Sequence, residues 1–128
     1  MAIFCGTDII SVDRIRKSIT ELGETFTKRI YTDEEISYCE SRRMSKFQSY
    51  AARFAAKEAT YKAISPESMD KISWHDAEVI RTKTGKPIVV LHGRLEEIAK
   101  EKGIVTDNID ISLSHDDSFA VATVVVSI

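Results

Sequence analysis

The stretch that most confines this chain is Phe119–Ile128, which is apolar on both faces of an extended strand. A half-buried strand alternates polar and apolar residues. One that does not alternate is central in its sheet or covered by another subunit. The segment before it, Ile109–Ser114, alternates cleanly. Ile109, Ile111 and Leu113 face one way; Asp110, Ser112 and Ser114 face the other. His115 then opens a tight Asp-Asp-Ser turn. Further upstream, Ala77–Thr82 and Pro87–Leu91 flank Lys83-Thr84-Gly85-Lys86, a hairpin signal.

The first half mixes one strand with helices. Residues 2–10 read as a strand with Phe4, Gly6, Asp8 and Ile10 on one face and Ile3, Cys5, Thr7 and Ile9 on the other. Ser11 reads as an N-cap. Val12, Ile15, Ile19 and Leu22 follow at helical spacing, and Gly23 ends the run. Phe26 and Ile30 bridge to Thr32-Asp33-Glu34-Glu35, a capping box opening a short helix to about Arg43. Ser45-Lys46-Phe47-Gln48 reads as a second capping box, opening a long helix over 46–64 that ends before Pro66. Gly93–Lys102 is helical, closed by Gly103. Antiparallel hairpins with a long helix predict an α+β fold: a sheet packed on that helix, within one domain over 1–128.

At 128 residues, 43% hydrophobic and 30% charged, the chain can bury roughly two thirds of its unfolded surface. It needs neither disulfide nor metal to fold. Cys5 and Cys39 stand far apart and read as free thiols. His75, His92 and His115 lack zinc-ligand spacing. No apolar run approaches the ~20 residues that cross a bilayer, and the first residues lack a signal-peptide layout. A cytoplasmic protein without a membrane partner is expected. The net charge of −2 advertises no nucleic-acid binding.

Local charge says more. Arg42, Arg43, Lys46, Arg53, Lys57 and Lys62 face one acid, Glu58, between residues 42 and 62. Such a run is a solvated helix face or a phosphate site, and it leaves room for an RNA-binding domain as the alternative function. On the long helix Ala51, Phe54, Ala55, Glu58 and Lys62 share one stripe, so Glu58 projects from a packed face where alanines admit a strand. Taken alone, Glu58 reads as half of an i,i+4 pair with Lys62, worth about 0.3–0.5 kcal/mol. Asp8 alone reads as a strand-end residue helping to cap the next helix. Together, two carboxylates on rigid elements suit Mg²⁺ with water and phosphate oxygens, and the cations beside them suit a phosphate ligand. There is no Gly-x-Ser-x-Gly elbow and no phosphate-binding P-loop.

In order, these pieces resemble the small bacterial holo-acyl-carrier-protein synthase group of the phosphopantetheinyl transferase family. The matching stretches are Gly6-Thr7-Asp8-Ile9 with Arg14, then Phe26 through Arg29-Ile30-Tyr31-Thr32 to Glu35. Arg53-Phe54-Ala55-Ala56-Lys57-Glu58-Ala59 with Lys62-Ala63, Gly85-Lys86-Pro87 and Ser112-Leu113-Ser114-His115 complete them. The resemblance implies transfer of the 4'-phosphopantetheine arm of coenzyme A to a serine of apo-acyl carrier protein, releasing adenosine 3',5'-bisphosphate. It implies Asp8 and Glu58 as Mg²⁺ ligands and Glu58, Lys62 and His115 as catalytic residues. It places Arg53, Lys57, Lys62, Gly85, Lys86, Pro87 and His115 along coenzyme A. A metal-polarised water, Glu58 and Glu35 are all open as the base. Helix 1 offers Arg14, Arg16 and Lys17; Arg14 and Lys17 are the expected contacts to an acidic carrier. Homotrimers with shared active sites are implied as well. The chain departs from the family pattern in having no glycine over 65–74 and in carrying Phe4 where a glycine is common.

Overall fold

The computed structural model describes residues 1–128. Its elements run β1 (Ile3–Ser11), α1 (Val12–Leu22), α2 (Glu24–Ile30), α3 (Asp33–Ser41), α4 (Lys46–Ile64), β2 (Ala77–Arg81), β3 (Pro87–Leu91), α5 (Gly93–Glu101), β4 (Ile109–His115) and β5 (Phe119–Ser127). Strands β1, β5 and β4 form one antiparallel sheet with β5 in the middle, and β2 and β3 form a hairpin. The doubly apolar segment is thus the central strand. Its inward residues Ala120, Ala122, Val124 and Val126 are buried against α4. Its outward residues share an open face with β1, where Ile3, Ile9, Phe119 and Val125 are exposed.

The central helix is buried almost all round: 13 of the 19 residues of α4 are inside, so no single polar face runs along it. Two apolar clusters meet on α4, one reaching β2, β3, α5 and the sheet, the other α1, α2 and α3. The small residues at Ala55, Ala56, Ala59 and Ala63 let β1 press onto the helix. Gly6 sits at the closest approach, where a Cβ would lie 2.1 Å from the Ala59 carbonyl oxygen. That approach brings Asp8, two residues on and on the same face, over the helix.

Most caps form as read. Ser11 accepts from the Arg14 amide at 3.3 Å, and Thr32 and Glu35 make the reciprocal capping box. Three local expectations change. Ser45 makes no side-chain cap, because a 3₁₀ turn over Arg43–Ser45 runs straight into α4 and leaves Ser45 near helical angles. A seven-residue helix, α2, fills the stretch read only as a bridge. The helix after Thr32 stops at Ser41, short of Arg43. No helix is long and apolar enough to cross a membrane.

Candidate active site

Two clefts meet at Glu58. One, of about 390 Å³, is lined by Asp8, Ile10, Arg14, Phe26, Phe54 and Glu58. The other, of about 510 Å³, is lined by Glu58, Tyr61, Lys62, Met69, Ile72 and Trp74. Glu58 stands on the ridge between them, with Phe54 one turn before it and Lys62 one turn after it on α4.

The structure places Asp8 and Glu58 on one cleft, and the simple intrahelical ion pair of Glu58 with Lys62 does not form. Lys62 reaches across to β1, donating from Nζ to the Thr7 carbonyl at 3.0 Å and to Asp8 Oδ1 at 3.2 Å. Glu58 keeps no salt bridge. Burial pushes its carboxyl above the ordinary glutamate value, the Asp8 charge pushes the same way, and Lys62 opposes both. Each carboxylate therefore favours a cation beside the other. Asp8 and Glu58 are an all-oxygen donor set, without the third His, Cys, Asp or Glu that would complete a protein cage. Such a pair leaves room for water and ligand oxygens around a hard divalent ion.

The cations divide three ways. Arg14 lines the Asp8 cleft and has no acid partner, whereas Arg16 and Lys17 both pair with Asp13, at 3.1 and 3.3 Å. Arg53 is 2% exposed and its guanidinium lies 4.1 Å over the Tyr38 ring, which Arg81 also approaches at 5.3 Å. The Arg53 Nε has no hydrogen-bond partner, and burial holds its guanidinium below the usual arginine value. A shallow cleft beside it is lined by Ser37, Tyr38, Ser41, Arg53 and Arg81. Arg81 donates to the Gly85 carbonyl at 2.5 Å, joining this cluster to the hairpin turn of Gly85, Lys86 and Pro87. Lys86 pairs with Asp110 at 2.8 Å. His115 is exposed at the opposite end of β4, five residues from Asp110 and so roughly 17 Å along the strand.

Lys57 is the residue the structure moves. Expected along the coenzyme, it is fully buried, with its ammonium on Glu35 Oε1 at 2.8 Å, the Ala77 carbonyl at 2.8 Å and the Trp74 carbonyl at 3.1 Å. All three donors are used, and none faces either cleft. Burial pushes the ammonium below its ordinary value, while Glu35 pushes back. Glu35 is equally sealed: it also accepts from the Thr32 and Val79 amides, at 2.8 and 2.9 Å. It is out of reach as a base. With Arg53 and Lys57 inside, the run of six cations is not a continuous basic surface.

Sequence reasoning missed the aromatic wall. Trp74 stacks on Phe54 with centroids 5.1 Å apart and meets the edge of Tyr61 at 5.8 Å. The Tyr61 hydroxyl donates to the Ser73 carbonyl at 2.9 Å. Phe54, Trp74 and Tyr61 had no signature beyond ordinary core aromatics.

Comparison with known proteins places this geometry. A model of the 4'-phosphopantetheinyl transferase superfamily matches residues 4–124. The chain belongs to that superfamily. Among curated relatives it is 44% identical to the holo-[acyl-carrier-protein] synthase of Ruminiclostridium cellulolyticum over 128 residues, covering all of this chain and 94% of the relative. It is also 44% identical to the Solibacter usitatus enzyme of the same name, with 98% of each chain covered. Its fold superposes with TM-score 0.81 on the Helicobacter pylori synthase solved in complex with coenzyme A, at 32% identity over 96% of this chain and 99% of that one. For the Neisseria meningitidis synthase the TM-score is 0.84 at 30% identity, with 98% of each chain covered. In this phosphopantetheinyl transferase, Asp8, Glu58 and Lys62 lie together where the two clefts meet.

Proposed function

We propose that this transferase moves the 4'-phosphopantetheine arm of coenzyme A onto a serine of apo-acyl carrier protein, and that Glu58 marks the point where the two substrates meet. The observation that carries this reading is the pair of clefts sharing Glu58. The cleft walled by Tyr61, Met69, Ile72 and Trp74 is apolar along much of its length and suits a pantetheine arm. The cleft with Asp8 and the unpaired Arg14 opens beside the exposed basic side of α1 and suits an acidic carrier.

In the reaction the serine oxygen bonds to the β-phosphorus of coenzyme A. The pyrophosphate P–O bond breaks, the hydroxyl proton is released, and adenosine 3',5'-bisphosphate leaves with the bond's electrons. The protein's task is mostly positioning and charge neutralisation. Lys62, tethered to the Thr7 carbonyl and Asp8, holds a positive charge in the cleft of Tyr61 and Trp74, against the Asp8 that lines the other. Asp8 and Glu58 have the donor chemistry to hold Mg²⁺, which when bound supplies Lewis-acid stabilisation of phosphate charge. With Glu35 sealed on Lys57, Asp8 and Glu58 are the carboxylates of this chain that face the serine's approach.

The nucleotide end needs other groups. Arg53 with its unpartnered Nε, Arg81 and the Gly85-Lys86-Pro87 turn suit phosphate oxygens, and His115 presents a further donor from a separate edge. A homotrimer would bring such separated edges together, and the exposed apolar sheet face of Ile3, Ile9, Phe119 and Val125 is the surface suited to it. Both clefts belong to a protein of the cytoplasm, where coenzyme A and acyl carrier protein meet.

The test is mass spectrometry of apo-acyl carrier protein after incubation with coenzyme A and Mg²⁺. A gain of one phosphopantetheine, lost with EDTA and in Glu58→Gln, is expected. No gain with several apo-carriers, while RNA binds at low salt, would favour the binding-domain alternative.

A further inference from the structure

We propose that the buried Lys57–Glu35 pair is a positioning device for Trp74, fastening the aromatic wall of the coenzyme cleft to the helix that carries Glu58. This rests on the reading above that coenzyme A lies in that cleft.

The chain between α4 and β2 has little regular structure: one 3₁₀ turn at Trp74–Asp76 follows a stretch without helix or strand. Two side chains of α4, one turn apart, hold its returning end. Lys57 donates to the carbonyls of Trp74 and Ala77, and Tyr61 donates to that of Ser73. The Trp74 ring then lies on Phe54 and against Tyr61, from the same helix. The Lys57 and Tyr61 fastenings and both ring contacts thus come from α4, which also carries Glu58, while His75 on the Lys28 carbonyl and Asp76 on the His92 and Leu95 amides hold the far side of the turn.

A neutral apolar residue at position 57 would fill the space. It would take the Lys57 donor from the Trp74 and Ala77 carbonyls and leave Tyr61 on Ser73 as the remaining side-chain hydrogen bond from the helix to the segment. An ammonium supplies three strong donors but must be paired when buried. Glu35 does this, itself held by the Thr32 and Val79 amides. Buried ion pairs are often replaceable by apolar residues with little loss of stability. Placement of Trp74, rather than stability, is therefore what the pair adds.

The chain has one tryptophan, so its fluorescence reports the wall directly. The variant is Lys57→Met/Glu35→Leu, which removes both charges together and avoids leaving one buried alone. Without coenzyme, its emission should shift to the red and its quenching by acrylamide should rise about twofold. In the transfer assay the KM for coenzyme A should rise about tenfold, with kcat and the KM for carrier protein changing less than about threefold. Tyr61→Phe removes only the Ser73 fastening and should move the quenching in the same direction by less; it decides the matter if the double variant does not fold. Wild-type quenching in these variants overturns the proposal, and so does an equal rise in both KM values. Normal transfer by the wild type with no response of Trp74 to added coenzyme A overturns the wall's role and leaves the reaction standing. Absence of transfer by the wild type, with the quenching shift present in the variants, overturns the functional reading and with it the wall's ligand.

Discussion

Gly6→Ala should damage the site from the face of β1 that also carries Asp8. The added Cβ would sit 2.1 Å from the Ala59 carbonyl oxygen, 2.8 Å from the Ala63 nitrogen and 2.9 Å from Lys62 Cβ. Ordinary van der Waals contact begins at 3.4 Å, so β1 and α4 must part by roughly 1 Å. Two of the three obstacles are helix backbone and cannot swing aside. Overpacking of this kind costs about 1–3 kcal/mol, which for a chain this size lowers Tm by roughly 4–12 °C. The same displacement carries Asp8 away from Lys62 and Glu58. A misplacement near 1 Å costs up to about a hundredfold in rate, so activity should fall further than the stability loss explains at a temperature where the variant is folded. Calorimetry and the transfer assay read the two effects separately. Ala59→Gly added to Gly6→Ala should not rescue either one, because the obstacle is the carbonyl of residue 59 and not its methyl. A variant with wild-type Tm and activity, or one rescued by Ala59→Gly, would refute the close-approach argument.

Three further outcomes are expected. Burial raises the Glu78 carboxyl, but hydrogen bonds from Thr32 Oγ1 and His92 Nε2, at 2.5 and 2.9 Å, outweigh it and hold the group below its ordinary 4.5. Its stabilisation is therefore complete above that value and lost as pH falls through the lower folded one; the Tm gap between wild type and Glu78→Gln should narrow on acidification from pH 5 to about pH 3, and a constant gap would count against it. Val125→Asp puts a charge on the open sheet face opposite Asp110 and Cys5; sedimentation should show the mass of one chain where the wild type shows three, and a monomeric wild type would end the trimer proposal. Arg14→Glu should raise the KM for carrier protein about tenfold, the order expected for reversing a charge in a complementary contact, with that for coenzyme A nearly unchanged; equal changes would remove Arg14 from docking.

Much of this was legible in the sequence because it rests on period and punctuation. Alternation in Ile109–Ser114, the two-faced run after it and Gly23 at the end of α1 set elements that the structure reproduces within a residue or two. The face of β1 that carries Asp8 could be read because a strand has only two faces. The interior cations could not. The helical pattern marks a residue as inside only when the helix has an outside, and α4 is enclosed by the sheet, β2, α1 and α3. Lys57 therefore looked like its neighbours in a basic run. Its partner Glu35 was already explained by the cap at Thr32, which uses one oxygen and gives no sign of the other, accepting from Val79 44 residues away. Ser45 failed as a cap because the preceding turn was itself helical, a matter of ψ that composition does not encode.

The ladder between β1 and β5 joins residues more than 100 positions apart, Asp8 lying opposite Ala122. Closing a loop that long costs about 4 kcal/mol of chain entropy, and contacts of such separation slow folding. Glu58 and Lys62 come ready on one helix, whereas Asp8 arrives only when this ladder zips. A molecule that has folded its helix but not yet seated its first strand thus holds half of its charged centre. Anything bridging Asp8 and Glu58 draws its affinity partly from that closure, and by linkage holds the strand shut in return.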